Sequence, residues 1–305
     1  MRSLVLLAIV GLIAQLVDGS LGMAYGVTSS SVMLAVGIAP AATSAAVHLS
    51  EVGTTLVSGV SHWKFGNVDW RTVAIIALPG GIGGYAGATV LSNIDGESAE
   101  PYVALLLLSL GVYVLYRFLR LGGRRPQFKA RPSALFLAPL GVVAGIVDAI
   151  GGGGWGPVGT TSLLSSGRLE PRKVVGSIDT SEFVVAIGGS LGFLFALGKQ
   201  GIDFRYAAAL LVGGVVAAPL AAWLVKHLAA RVLGVAAGGF IVVTNILTVL
   251  EAWAGISTDE GSASLAIEWG VLALAWAALV TYAVRADRKT RERERANEAV
   301  EEVPV

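Results

Sequence analysis

The chain has 305 residues, of which 54% are apolar and only 14% are charged, whereas soluble domains usually contain about 25% charged residues. A mean hydropathy of +0.73 and 40 glycines favour closely packed transmembrane helices. The formal net charge of +1 indicates no nucleic-acid partner, and the absence of cysteine excludes disulfides and thiolate metal sites. The composition therefore predicts an all-α integral membrane protein whose surroundings are the lipid bilayer.

The apolar segments predict seven membrane crossings and two broken elements. A helix needs roughly 20 apolar residues to cross the hydrocarbon region. Segments 3–38 and 133–167 are interrupted by the glycine-rich stretches Asp18–Gly26 and Asp148–Gly156. Because each of their arms has about 14 residues, too few to cross, both segments are interpreted as re-entrant helical hairpins. The seven predicted crossings are 42–62, 71–92, 101–119, 172–197, 204–225, 231–250 and 265–284.

The chain contains an internal repeat with an offset near 130 residues. The matching positions are Asp18 with Asp148, Gly26 with Gly156, Tyr25 with Trp155, Pro40 with Pro171 and Glu51 with Glu182. Each repeat holds one hairpin and three crossings. Because three is odd, the second repeat is predicted to be inverted relative to the first. Inverted repeats with broken helices are typical of secondary transporters.

These boundaries divide the chain into four parts. They are repeat 1 at 1–120, a basic linker at 121–132, repeat 2 at 133–250, and a final transmembrane helix with a charged tail at 251–305. Cytoplasmic loops carry an excess of Lys and Arg, so the basic linker and tail are placed in the cytoplasm. This predicts a multi-pass protein of the cytoplasmic (inner) membrane with its N-terminus outside and its C-terminus inside. The tail is predicted to be a solvated helix or disordered.

The glycine-rich tips predict a site for a small anion. The second arm of each hairpin begins there, and unpaired N–H groups at a helix start attract negative charge. Tyr25 and Trp155 either line such a cavity or fill a packing gap. The alternative is that the glycines allow close helix packing and that the hydroxyl groups after the tips, on Ser29, Ser30, Thr160 and Thr161, bond to the carbonyl oxygens four residues earlier. The predicted substrate-binding residues are Gly22, Tyr25, Gly26, Ser29, Ser30, Gly152, Gly153, Trp155, Gly156, Thr160 and Thr161.

Ionisable residues at predicted hydrocarbon depth form a second candidate group. His48 and Glu51 are spaced i, i+3, as are Asp179 and Glu182, so the two members of each pair share a helix face. Because burial disfavours a charged carboxylate, Glu51 and Glu182 are candidates for proton carriers, and the alternative is a hydrogen-bonded staple between the repeats. Asp18 and Asp148 bind a proton or a cation, or cap the second arm. The predicted proton-coupling residues are Glu51, Glu182, His48, Asp179, Asp18 and Asp148.

On these residues the chain resembles the sulfite exporter TauE/SafE family of membrane permeases, over roughly residues 5–282. The resemblance rests on the tips Asp18–Gly26 and Asp148–Gly156, on Pro40 and Pro171, and on the two Ser-Glu copies that end in Glu51 and Glu182. It implies export of a small sulfur-containing oxyanion, sulfite or an organosulfonate such as sulfoacetate, with proton coupling left open.

Other classes are weighed against this interpretation. The chain has no H-E-x-x-H or G-x-S-x-G motif, and its histidines (His48, His62 and His227) are scattered, so no enzyme, metal centre or cofactor is predicted. The acidic pairs suit an uptake carrier or a cation carrier nearly as well. The exact substrate, the direction, the coupling ion and the oligomeric state, a homodimer included, stay open.

Overall fold

The computed structural model describes residues 2–21, 23–121, 131–166, 168–198, 201–224, 230–254 and 263–301. All regular structure within these ranges is helical. A π-helical turn at Trp155–Thr160 precedes α7. The α-helices are α1 (Arg2–Leu21), α2 (Tyr25–Ala35), α3 (Pro40–Lys64), α4 (Trp70–Ser92), α5 (Gly96–Leu121), α6 (Ala134–Gly151), α7 (Thr161–Ser166), α8 (Pro171–Leu197), α9 (Phe204–Leu224), α10 (Ala230–Ala254) and α11 (Ala263–Glu301).

Six stretches within the described ranges are long and apolar enough to cross a membrane. They are Trp70–Ser92, Gly96–Arg120, Ala134–Gly151, Arg172–Leu197, Gly234–Ala254 and Trp269–Thr290. Five of the six coincide with predicted crossings, and a sixth predicted crossing corresponds to a shorter apolar helix at Phe204–Ala218. The seventh, 42–62, lies in α3. This helix has 25 residues but is not among the six stretches, because its many Ser, Thr, His and Glu side chains lower its hydropathy. The chain is therefore a multi-pass membrane protein.

The first arms of both hairpins are longer than predicted. α1 has 20 residues and α6 has 18, rather than about 14. The prediction that the arm is too short to cross is wrong for α6, whereas the apolar part of α1, Leu4–Gly19, is shorter than a crossing, as predicted. The helices continue past Asp18 and Asp148 because both side chains lie in the last helical turn and accept hydrogen bonds from the tip that follows. The second arms are short, with 11 residues in α2 and six in each of the π-helical turn and α7.

Equivalent helices of the two repeats pack against each other at the centre. α3 and α8 run antiparallel, because His48 lies beside Gly189 at one end of the contact and Gly59 lies beside Thr180 at the other. α5 and α10 also run antiparallel. The first hairpin arms are exchanged, since α1 packs on α9 of the second repeat and α6 packs on α4 of the first. The two halves are thus interlocked around the α3/α8 contact.

The last helix continues into the charged tail. α11 is a single helix of 39 residues that contains the predicted crossing 265–284 and extends to Glu301. The tail is therefore helical as far as Glu301, which agrees with the prediction of a solvated helix rather than with that of disorder. Most of the predicted basic linker, 122–130, lies outside the described residues.

Candidate functional site

The tips of the two hairpins touch each other at the centre of the molecule. Ser30 Oγ donates a hydrogen bond to Gly152 O at 2.7 Å. A Cβ atom on Gly26 would lie 2.5 Å from Gly152 O and 2.6 Å from Gly153 Cα, so only glycine permits this approach. Gly152 also has a φ of +64°, a conformation that favours glycine. The structure therefore brings together predicted site residues of both hairpins, whereas Gly22 lies outside the described residues.

Asp18 and Asp148 each hold the start of the second arm of their own hairpin. Asp148 Oδ1 accepts the backbone N–H groups of Gly154 at 2.6 Å and Trp155 at 2.9 Å. Asp18 Oδ1 accepts the N–H of Tyr25 at 3.3 Å. Both carboxylates are buried. These contacts match the capping alternative, and they supply negative charge from the protein itself to the helix starts.

The predicted hydroxyl groups have different surroundings. Thr161 Oγ1 donates to the i−4 carbonyl of Pro157, which matches the alternative that these hydroxyls serve the helix backbone. Thr160 is completely buried beside it. Ser29 Oγ is also completely buried and has no hydrogen-bond partner among the described residues. Ser29 is therefore the predicted hydroxyl that is available to a ligand.

The two predicted aromatic residues are packed inside the protein. Tyr25 Oη and Ser50 Oγ are hydrogen-bonded at 3.0 Å. Trp155 Nε1 donates to Ile178 O at 3.0 Å, and the Trp155 ring lies directly against Gly80. The neighbouring Gly156 is buried in the π-helical turn. These contacts match the packing alternative for both rings in the conformation observed.

A chain of hydrogen bonds links α3 to the second hairpin. Ser44 Oγ donates to Ala149 O at 2.6 Å. His48 Nδ1 lies 2.9 Å from Ser44 O, and His48 Nε2 lies 3.2 Å from Asp148 Oδ2. All of these side chains are at most 1% exposed. The sequence analysis identified His48 and Asp148 separately and did not predict that they meet.

The partners of His48 determine where its protons lie. A carbonyl oxygen only accepts hydrogen bonds, and the Ser44 hydroxyl hydrogen is already directed to Ala149 O. Nδ1 of His48 must therefore carry a hydrogen. One further proton must lie between Nε2 and Asp148 Oδ2, because two bare acceptors 3.2 Å apart repel each other. The pair thus shares a proton, and it carries a positive imidazolium next to a carboxylate if that proton is on the ring.

Glu51 completes a cluster with His48 and Asp148. One ring nitrogen of His48 and one carboxylate oxygen from each of Glu51 and Asp148 lie within 4.8 Å of one another, and all three residues are buried. Neither Glu51 oxygen has a hydrogen-bond partner in the described part of the chain, although the side chain is 1% exposed. Such spacing suits three groups around a small cation or a proton. One shared proton already links His48 and Asp148, so a proton explains this cluster more simply than a metal cation does.

The remaining predicted carboxyl groups lie farther along the α3/α8 contact. Asp179 Oδ2 lies 3.9 Å from Nε2 of His62, and Asp179 is 3% exposed. Glu182 is one turn away on α8 and is partly buried. The sequence analysis treated His62 as an isolated histidine. Its position 14 residues after His48, four helical turns along one face of α3, is the signal that was missed.

Asn245 connects a third helix to the first hairpin. Its Nδ2 donates to Ser31 Oγ and to Ile241 O, both at 2.8 Å, and the side chain is 2% exposed. The sequence analysis did not select this residue. A single amide in the apolar helix α10 is the available signal, since polar groups inside a membrane helix usually face a partner.

Comparisons with known proteins identify the family of this chain. A model of the family described as sulfite exporter TauE/SafE matches residues 7–248. The probable membrane transporter protein YtnM of Bacillus subtilis (strain 168) is 51% identical over 258 residues, which is 83% of this chain and 85% of that protein. A probable membrane transporter protein of Xylella fastidiosa (strain 9a5c) is 24% identical over 204 residues, 64% of this chain and 74% of that protein. No solved structure matches significantly.

The family match extends over most of the chain and includes both hairpin tips and the α3/α8 contact. The helices of spanning length and the similarity to YtnM lead to the same class of protein. The chain therefore belongs to the sulfite exporter TauE/SafE family and is a multi-pass membrane transporter.

Proposed function

We propose that the chain exports a small sulfur-containing oxyanion, sulfite or an organosulfonate such as sulfoacetate, across the cytoplasmic membrane. The observation that supports this most directly is the contact between the two glycine tips at the buried centre, where Gly26 meets Gly152. Broken helices that meet between two repeats form the substrate sites of many secondary transporters. The family description, sulfite exporter, supports the substrate class and the direction of this proposal.

The tips must separate before an oxyanion enters. Gly26 and Gly153 are packed so closely that no ligand fits between them, and Ser30 closes the contact by bonding to Gly152 O. Once the tips separate, the N–H groups at the starts of α2 and the π-helical turn that Asp18 and Asp148 do not already bind face the opening, together with the unpaired hydroxyl of Ser29. These donors suit an anion with several acceptor oxygens.

The carboxyl groups around the centre are the reason for including protons in the proposal. Within the described part of the chain, five carboxyl groups lie in this region together with the imidazole of His48: Asp18, Glu51, Asp148, Asp179 and Glu182. Ionised carboxylates repel an anion in a medium of low dielectric constant, so proton binding favours anion binding. An inside-negative potential drives each negative charge outward by about 2.3 kcal/mol per 100 mV. Export therefore does not require the energy of a proton gradient.

The same excess of carboxyl groups favours a second candidate, a cation carrier. Purified protein in liposomes at a clamped membrane potential separates the two. We expect flux of sulfite or sulfoacetate above that of protein-free liposomes, and less or no flux of taurine and sulfate. Flux of Na⁺ or K⁺ without any anion flux would identify the cation carrier, and the absence of all anion flux would refute export.

The inverted arrangement and the orientation belong to the same proposal. The antiparallel contact between α3 and α8 supports the inversion. Because the chain has no cysteine, single cysteines at Gly96 and Gly123 report the sides directly. We expect an impermeant reagent to label position 96 from outside and position 123 from the cytoplasm. Labelling of both positions from one side would contradict the proposed topology.

A further inference from the structure

One face of α3 carries a line of polar side chains. At 1.5 Å per residue the line is about 27 Å long, close to the roughly 30 Å thickness of the hydrocarbon core. Its members from Ser44 to Ser58 are at most 8% exposed, whereas the side chain of His62 is 19% exposed. The line therefore leads from the buried centre to a partly exposed end. This polar stripe consists of Ser44, His48, Glu51, Thr55, Ser58 and His62, spaced alternately by four and three residues.

The outer half of the polar stripe faces carboxyl groups of α8. Asp179 lies 3.9 Å from His62 and beside Ser58. Glu182 lies one turn closer to the centre, because α8 runs antiparallel to α3. A cavity of about 260 Å³ adjoins this half, and Thr55 and Thr180 supply the hydroxyl groups of its otherwise mainly apolar lining.

Several groups along the polar stripe lack partners. Both Glu51 oxygens, Asp179 Oδ2 and His62 Nδ1 are buried and make no hydrogen bond to any described residue. Unpaired buried polar atoms cost free energy. These are carboxyl and imidazole atoms, which bind and release protons, and they lie near the middle of the stripe and at its outer end. Protons and the water molecules that carry them would satisfy all of these atoms.

We propose that the polar stripe and the facing carboxyl groups of α8 form a proton path along the α3/α8 contact. Protons enter between His62 and Asp179 and reach Glu51, next to the proton shared by His48 and Asp148. This inference rests on the proposed transport function and deepens it by naming the coupling ion and its route. The titratable groups that face Glu51 are His48 of α3, Asp148 of α6, Asp18 of α1, Tyr25 of α2 and Glu182 of α8.

The path is tested without any substrate by following carboxyl protonation after a rapid pH drop. The readout is the infrared C=O stretch of the protonated carboxyl group in the full-length protein in lipid bilayers. Glu51→Gln identifies the band of Glu51, and Glu51→Asp, which shifts the band, serves if the first variant does not fold. We expect His62→Gln and Ser58→Ala to slow the appearance of this band by roughly tenfold or more without reducing its final amplitude.

Ser61→Ala is the matched control for Ser58→Ala. Ser61 is on the same helix and its hydroxyl bonds to Val57 O, but it is not part of the polar stripe. A wild-type rate in His62→Gln, or an equal delay in the Ser61 and Ser58 variants, would overturn the path. Because no substrate is present, this outcome is distinct from a failure of anion export in the flux assay.

Discussion

His48 Nε2 lies 3.2 Å from Asp148 Oδ2, and this contact joins the third helix of the first repeat to the hairpin of the second. The same carboxylate also holds the N–H groups of Gly154 and Trp155. In the first repeat the equivalent residue Asp18 accepts the N–H of Tyr25, and the position equivalent to His48 is occupied by Asp179 rather than by a histidine. The two halves therefore share a backbone design but differ in charge.

Asp148→Asn tests this difference. The asparagine side chain still accepts the tip N–H groups, but its amide replaces the charge-assisted contact with His48 by a neutral hydrogen bond. A hydrogen bond to a charged group contributes about 1.5–3 kcal/mol, so we expect a decrease of up to that size in the free energy of unfolding, measured by tryptophan fluorescence in detergent. Asp18→Asn is the control and should destabilise much less. Equal losses in both variants would show that the imidazole contact has no special contribution.

Gly26→Ala is expected to disturb the contact between the tips. The added methyl group meets the backbone of Gly152 and Gly153, which cannot move as a flexible side chain does. Overpacking of this kind costs about 1–3 kcal/mol, and we expect both thermal stability and anion flux to fall. Gly270→Ala on α11 is the control, because a Cβ there meets nothing within 4 Å. Wild-type flux in Gly26→Ala would contradict the role of the tip contact.

Ser30→Ala and Ser29→Ala separate a structural hydroxyl from a ligand-binding one. Ser30 loses its buried hydrogen bond to Gly152 O, which is expected to lower stability by about 1 kcal/mol. Ser29 loses no hydrogen bond to the described residues, so its variant should unfold like wild type. If Ser29 binds the oxyanion, Ser29→Ala should weaken the binding of sulfite to the protein by about 2 kcal/mol, measured by isothermal titration. Unchanged affinity would remove Ser29 from the site.

Glu51→Gln and Glu182→Gln test the role of the central carboxyl groups in transport. Both changes preserve size and remove a titratable group. We expect them to flatten the dependence of anion flux on pH, measured in liposomes at a clamped potential, more than they change the half-saturating substrate concentration. Glu97→Gln, at an exposed position near the start of α5, is the control. Profiles that superimpose on wild type would reduce both carboxyls to structural contacts.

Asp69 at the start of α4 gives a test outside the membrane. Its Oδ1 accepts hydrogen bonds from both N and Oγ1 of Thr72 at 2.9 Å. Burial alone would raise the pKa of Asp69, but the Thr72 hydrogen bonds and the nearby Arg131 and Lys173 outweigh it and hold the pKa below its usual value. Asp69→Ala is expected to lower the free energy of unfolding by about 1 kcal/mol at neutral pH.

The sign of the pH effect follows from the lowered pKa of Asp69. The cap stabilises the fold fully above the unfolded-state pKa, near 3.9, and this stabilisation is lost as the pH falls through the folded-state pKa. The difference in unfolding midpoint between wild type and Asp69→Ala should therefore shrink in acid. The difference between Asp69→Asn and Asp69→Ala should not depend on this titration. A wild-type difference that persists at low pH would contradict the assignment.

The sequence by itself determined the class of protein, the repeat and the positions of the tips. Apolar length, glycine clusters and the spacing of His48 and Glu51 are properties of consecutive residues, so they are readable without a fold. The six polar positions of the stripe on α3 were equally readable. They were not recognised as one line, because a hydropathy criterion registers the apolar length of a segment and gives no weight to polar side chains at helical spacing.

Only the tertiary structure decided which of these groups meet. His48 and Asp148 are 100 residues apart, and nothing in their local sequence specifies the contact. It depends on the antiparallel crossing of α3 and α8 and on the exchange of hairpin arms between the repeats. The lengths of the first arms were decided in the same way. Asp18 and Asp148 stay inside their helices because the folded tips return N–H groups to them, a stabilisation that exists only once each hairpin is closed.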